Sequence, residues 1–167
     1  MENEIKLSIM INPKDMFRFL MRHFYTHFSG IFGVILSLGA LVVFFLNIGK
    51  GEPTFMIALF IMASLFTVLQ PIQFWVKANQ RVKLNPMFKE PLLYTMNSEG
   101  ITVEQKEDNV LLPWKDVRSI IESKNAIFVY SSSVNAFILP KKQLGQDVQN
   151  VKEIMKANTD KNICKLK

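Results

Sequence analysis

One cysteine, Cys164, and two histidines, His23 and His27, are all the thiol and imidazole chemistry this chain of 167 residues carries. A lone cysteine excludes an intramolecular disulfide, so the fold does not depend on an oxidising compartment. His23 and His27 stand four apart, a spacing at which two imidazoles can share a metal, but a closed site needs three or four protein ligands and nothing nearby supplies the rest. No phosphate-binding glycine loop, dinucleotide turn, paired cysteines or zinc-protease helix signature is present. Glu104, Glu107, Asp108 and Asp116 lie in or beside polar turns without a defined partner, and Ser131, Ser132 and Ser133 form a turn far from either histidine. The expectation is therefore a protein that is not an enzyme and takes neither cofactor nor metal.

Charge is missing from two long stretches. Phe28 to Leu46 and Phe55 to Val76 contain no Asp, Glu, Lys, Arg or His. As a helix the first extends about 28 Å, the thickness of a bilayer's hydrocarbon core, and the second is long enough to span with some tilt. Between them Asn47 to Thr54 reads NIGKGEPT, whose glycines and proline forbid one continuous helix. The pair reads as a transmembrane hairpin, 28–76, rather than a signal peptide, because acidic positions precede it and no small-x-small cleavage site follows.

The net charge is +6, and residues 77–167 hold fifteen Lys and Arg against ten Asp and Glu. No basic cluster interleaved with aromatics marks a nucleic-acid interface, so anionic lipid headgroups are the simpler partner. Lys6, Lys14, Arg18 and Arg22 precede the first span, Lys77, Arg81, Lys83 and Lys89 follow the second, and the turn holds Lys50 alone. That asymmetry places both termini in the cytoplasm, with the chain in the cell membrane. Candidate headgroup contacts are Lys14, Arg18, Arg22, Lys77, Arg81, Lys141 and Lys142.

Ser29, Gly33, Ser37 and Ala40 fall on one face of the first span, and small residues let helices approach closely. Packing within the hairpin is the plain reading and a homo-oligomer the sharper one. Pro71, flanked by Gln70 and Gln73, interrupts the second span and suggests the alternative of a small transport or channel component built from oligomerised hairpins. The absence of intramembrane charge argues against a pore.

Ile5 to Ile11 alternates as IKLSIMI, a half-buried strand that must pair with a sheet after Lys77. Asn12, Pro13 and Asp15 then start a helix along which Lys14, Arg18 and Arg22 recur beside an apolar stripe of Phe17, Leu20, Phe24 and Phe28. Residues 1–27 thus form a strand and a juxtamembrane helix, and 77–91, broken by Pro86 and Pro91, a helical exit and linker. Leu92–Met96, Ile101–Gln105, Val110–Trp114, Val117–Ile121, Ala126–Tyr130 and Ala136–Leu139 read as strands separated by turn residues, the first turns being Asn97–Gly100 and Lys106–Asn109. Leu144–Ala157 carries helical spacing, so 92–158 is expected to be a small antiparallel sheet domain closed by a C-terminal helix, with 159–167 a tail. Trp114 is expected in its core. The fold class is an α+β membrane protein: a two-helix hairpin plus a cytoplasmic sheet domain of small-barrel or split-sandwich kind.

The opening strand, the Asn-Pro-started helix, the two spans, the Leu111-Leu112-Pro113-Trp114 and Val117 run, and Phe137-Ile-Leu-Pro140-Lys141-Lys142-x-Leu144 together resemble the YcxB-like family of bacterial membrane proteins. The resemblance covers nearly the whole chain. It implies a pleckstrin-homology-like (PH-like) cytoplasmic domain and no established activity, leaving a module that binds lipid headgroups or an unknown protein partner.

Overall fold

The computed structural model describes residues 4–105 and 108–166. Lys106 and Glu107, half of the turn expected at Lys106–Asn109, lie outside them. The chain divides into two compact units, residues 1–16 with 81–167, and residues 17–80.

The first unit is built on two four-stranded sheets. Its strands are β1 (Ile5–Ile9), β2 (Leu92–Met96), β3 (Gly100–Gln105), β4 (Asp108–Pro113), β5 (Ser119–Glu122), β6 (Ala126–Tyr130), β7 (Ala136–Pro140) and β8 (Cys164–Lys165). One sheet has the order β1-β2-β3-β4 and is antiparallel throughout; the other has the order β7-β6-β5-β8. The N-terminal strand pairs with β2 from Ile5 opposite Met96 to Ile9 opposite Leu92. Alternation sets this register, because Leu7 and Ile9 are buried while Lys6 and Ser8 point outward. Every residue of β6 is buried, which is why AIFVY reads as a continuous apolar run rather than an alternating one. Tyr94 meets Phe137 edge to face, ring centroids 6.0 Å apart.

Two expectations are corrected here. The residues read as a tail include β8, which pairs in parallel with β5, Ile120 opposite Cys164, so the second sheet is mixed. The single helix read over Leu144–Ala157 is two helices, Lys141–Leu144 and Val148–Asn158, separated by a tight turn at Gly145–Asp147. Gly145 has φ of 56°, a conformation costly for any residue with a Cβ, and it ends the first helix. The longer helix buries Val151, Lys152, Ile154 and Met155.

Trp114 is buried and donates its indole N–H to the Asn97 carbonyl at 2.8 Å, fastening the end of β4 to the β2–β3 turn. Beside it, Gly100 pairs with Pro113. A Cβ at Gly100 would lie 2.3 Å from the Leu112 carbonyl oxygen, backbone that cannot swing aside. Gly100→Ala is expected to destabilise this unit by about 1–3 kcal/mol, the usual cost of overpacking, read as a lower unfolding midpoint of the full-length protein in mild detergent.

The second unit holds the apolar helices. Among the described residues the α-helices are, in chain order, α1 (Pro13–Thr26), α2 (Phe28–Leu46), α3 (Pro53–Ser64), α4 (Gln70–Leu84), α5 (Lys141–Leu144) and α6 (Val148–Asn158). Asn12 caps α1: its side-chain carbonyl accepts the Asp15 N–H at 3.0 Å, with Pro13 at the first helical position. The buried side chains of α1 are Asp15, Met16 and Phe19, while Phe17, Leu20 and Phe24 of the expected stripe are half-buried and Phe28 is exposed. A π turn, Leu65–Leu69, joins α3 to α4, giving a helix of 32 residues from Pro53 to Leu84. It begins two residues before the expected second span because Pro53 suits a first turn, and it runs through the stretch read as an exit.

Candidate functional site

The seam of the hairpin is made by α2 and α3. The buried residues of α2 are Gly30, beside Phe24 of α1, and Gly33, Ser37 and Ala40. Ser29, expected on this face, is exposed, and Gly30 takes its place. Gly30 is covered by Phe24 of α1, and Ser29, one position and about 100° away around the helix, points off that face. A Cβ at Gly33 would stand 2.4 Å from the Phe66 ring, so the absence of a side chain is what admits Phe66. Farther along, Ala40, Leu59 and Ala63 pack together with Phe44 and Met56 against them. Ala58, by contrast, is exposed.

Around the aromatic end of this unit, Phe17 meets Trp75 with ring centroids 5.4 Å apart, and Phe24 meets Phe74 at 5.1 Å. The two histidines are neighbours, centroids 4.2 Å apart, and His27 Nδ1 lies 2.5 Å from the His23 carbonyl. Burial, and secondarily the neighbouring His27, lowers the His23 pKa from its ordinary value. Among the described residues no group of three or more His, Cys, Asp or Glu is placed to hold a metal ion.

The candidate headgroup contacts divide. Lys14, Lys77, Arg81 and Lys142 are exposed, and Arg18 and Arg22 are half-buried on α1. Lys141 is a correction. Its ammonium is bound to the Glu122 carboxylate, which is buried to 6% exposure, and Lys152 approaches the same carboxylate at 3.2 Å. Lys141 is therefore engaged inside the sheet unit, because a buried carboxylate needs cationic partners. Two further residues escaped the sequence reading. Gln143 brackets the backbone of Met10, accepting its N–H and donating to its carbonyl, both at 2.8 Å. Lys152, on α6, is the other. Neither has a local spacing that would reveal it, since each partner lies on a distant element.

The sheet unit also holds an open groove of about 570 Å³, lined by residues from the start of β1, the β2–β3 turn and α6. Glu4, Lys6, Asn97, Ser98, Asp147, Asn150, Glu153 and Asn158 supply its polar side chains, and Ile5, Ile154 and Ala157 its apolar ones. Glu4 and Lys6 pair across 3.2 Å. Amides, carboxylates and the Ser98 hydroxyl give this lining groups that can bind polar ligands. Ser132, in the serine-rich turn, accepts the Asn135 N–H at 3.0 Å and shapes the β6–β7 hairpin.

Residues 97–157, from the β2–β3 turn to α6, match the family model described as YcxB-like protein. The chain carries a YcxB-like domain. It is also 30% identical over 109 residues to the uncharacterized protein YcxB of Bacillus subtilis (strain 168). That alignment takes in 64% of this chain and 59% of the relative, so the chain spans about three-fifths of the curated relative it matches. Both comparisons support the YcxB-like family named by resemblance above. No solved structure matches the chain significantly. The YcxB-like domain includes the Trp114 staple, the buried Glu122 with its two lysines, and most of the polar groove.

Proposed function

We propose that this protein is a membrane-anchored, non-enzymatic module whose apolar hairpin spans the bilayer and whose YcxB-like domain, of PH-like form, is presented at the cytoplasmic face to a protein partner or to lipid headgroups. The observation that carries this reading is the exposure of the apolar helices. Their most apolar 18-residue windows, with mean hydropathies of 2.5 and 2.1, are 22% and 11% buried within the protein. A core helix of a soluble protein hides such a surface, and two apolar stretches of this length left bare in water would aggregate. Exposed Lys14, Lys77 and Arg81, which flank the uncharged stretches in sequence, suit a leaflet of anionic lipid.

The transport reading has less behind it, since Gly33, Ser37 and Ala40 are covered within a single hairpin and Phe66 fills the space that Gly33 leaves. The orientation is tested with a thiol at an exposed position, because Cys164 lies in β8 and is half-buried. In a Cys164→Ser, Lys142→Cys protein, a membrane-impermeant maleimide is expected to label after lysis and not in intact cells. Labelling of intact cells reverses the orientation, and release of the protein by alkaline extraction removes the anchor.

A further inference from the structure

Phe66, in the π turn, has a carbonyl that its own helix does not serve. The N–H four residues on, at Gln70, donates instead to Leu65. Five residues on stands Pro71, which has no N–H to give. The carbonyl is satisfied from another helix: Tyr25, near the end of α1, donates its hydroxyl to it at 2.5 Å. The Phe66 N–H is also held from outside. The Ser37 hydroxyl of α2 donates to the Met62 carbonyl at 3.0 Å and accepts the Phe66 N–H at 3.4 Å. It bridges the two groups that a regular helix bonds directly to each other.

We propose that residues 65–71 form a hinge in the second apolar helix and that the Tyr25 hydroxyl is its latch. Pro71 prevents the helix from closing the gap itself, so the backbone there is held by α1 and α2 rather than by the ladder of α3 and α4 alone. In an apolar surrounding water cannot replace the phenol, and withdrawing it leaves a bare carbonyl at the point where the helix is least constrained. Displacement of Tyr25 then releases the two halves of the helix to reorient.

The test is a double-mutant cycle on the full-length protein in mild detergent, with Cys164→Ser and spin labels at Ile57→Cys and Gln80→Cys, both exposed and on opposite sides of the hinge. Tyr25→Phe is expected to broaden the label-to-label distance distribution at least twofold. Adding Pro71→Ala is expected to restore the narrow distribution, because an alanine in place of the proline supplies an N–H within reach of the Phe66 carbonyl. An unchanged distribution in Tyr25→Phe overturns the latch, as does equal broadening when Pro71→Ala is also present. A second measurement leaves Tyr25 in place: with 3-fluorotyrosine at the three tyrosines, Pro71→Ala is expected to shift the Tyr25 fluorine resonance and leave those of Tyr94 and Tyr130 still. A Tyr25 resonance indifferent to the substitution of Pro71 is also fatal to the idea.

Discussion

Replacing Glu122 with Ala is expected to lower the stability of the sheet unit by about 3–5 kcal/mol, the scale set by removing one partner from a buried ion cluster. Glu122 is 6% exposed and its two cations, Lys141 and Lys152, are 24% and 11% exposed. Once the carboxylate is gone, two ammonium groups remain in a nearly dry place with their mutual repulsion uncompensated. A domain of this size is typically stable by about 5–15 kcal/mol, so the variant stands near its unfolding limit at room temperature. A companion variant separates the electrostatic cause from lost packing. Glu122→Leu with Lys141→Met and Lys152→Met removes all three charges while keeping volume, and is expected to unfold near the wild-type temperature or above it. Thermal unfolding followed by far-UV circular dichroism reads both; a triple variant as weak as Glu122→Ala would show that the ions are not the cause.

The second large effect is expected at Gly30. A Cβ there would lie 2.1 Å from the Phe24 carbonyl oxygen and 2.8 Å from its carbonyl carbon. The obstacle is backbone at the corner where α1 gives way to α2, and that corner is already defined by the Gly30 and Ile31 N–H groups donating to His27. Gly30→Ala must therefore move one helix against the other, at a cost of about 3 kcal/mol, the upper end for overpacking. Gly39, on the same helix, has nothing within 4 Å of its would-be Cβ, so Gly39→Ala is the internal control. The expectation is a lower unfolding midpoint in detergent for Gly30→Ala and none of that loss for Gly39→Ala. Equal behaviour of the two would mean that the corner yields freely.

What sequence reasoning could reach follows the range of the forces involved. Helix α2 was legible to its ends, Phe28–Leu46, because an uncharged run bounded by His27 and Asn47 needs no tertiary information. Strands β2 and β6 were legible because turn residues bracket them, and β1 because alternation demands a distant partner face. Strand β8 was not, since two residues in a polar segment carry no period and owe their state to the Ile120 and Ile121 edge. The triad of Glu122, Lys141 and Lys152 joins a strand to two helices and leaves no spacing to read. Lys141 shows the resulting error: adjacent to Lys142 it looks like half of a solvated pair, yet the fold turns one inward and leaves the other out. At Ser29 the mistake was one position, about a quarter of a helical turn, enough to exchange an exposed residue for the buried Gly30.

The pairing of β1 with β2 also has a meaning in time. Ile9 lies opposite Leu92, and the residues between them, 10–91, contain both apolar helices. During synthesis the first strand leaves the ribosome long before its partner exists, and it waits while the hairpin is made. A hairpin that fails to double back leaves the two strand ends far apart and the first sheet short of its outer strand, a lasting bare edge of the kind that chaperones and proteases recognise. Completion of this sheet therefore reports, late in the life of the nascent chain, whether the segment laid down earlier has turned around correctly.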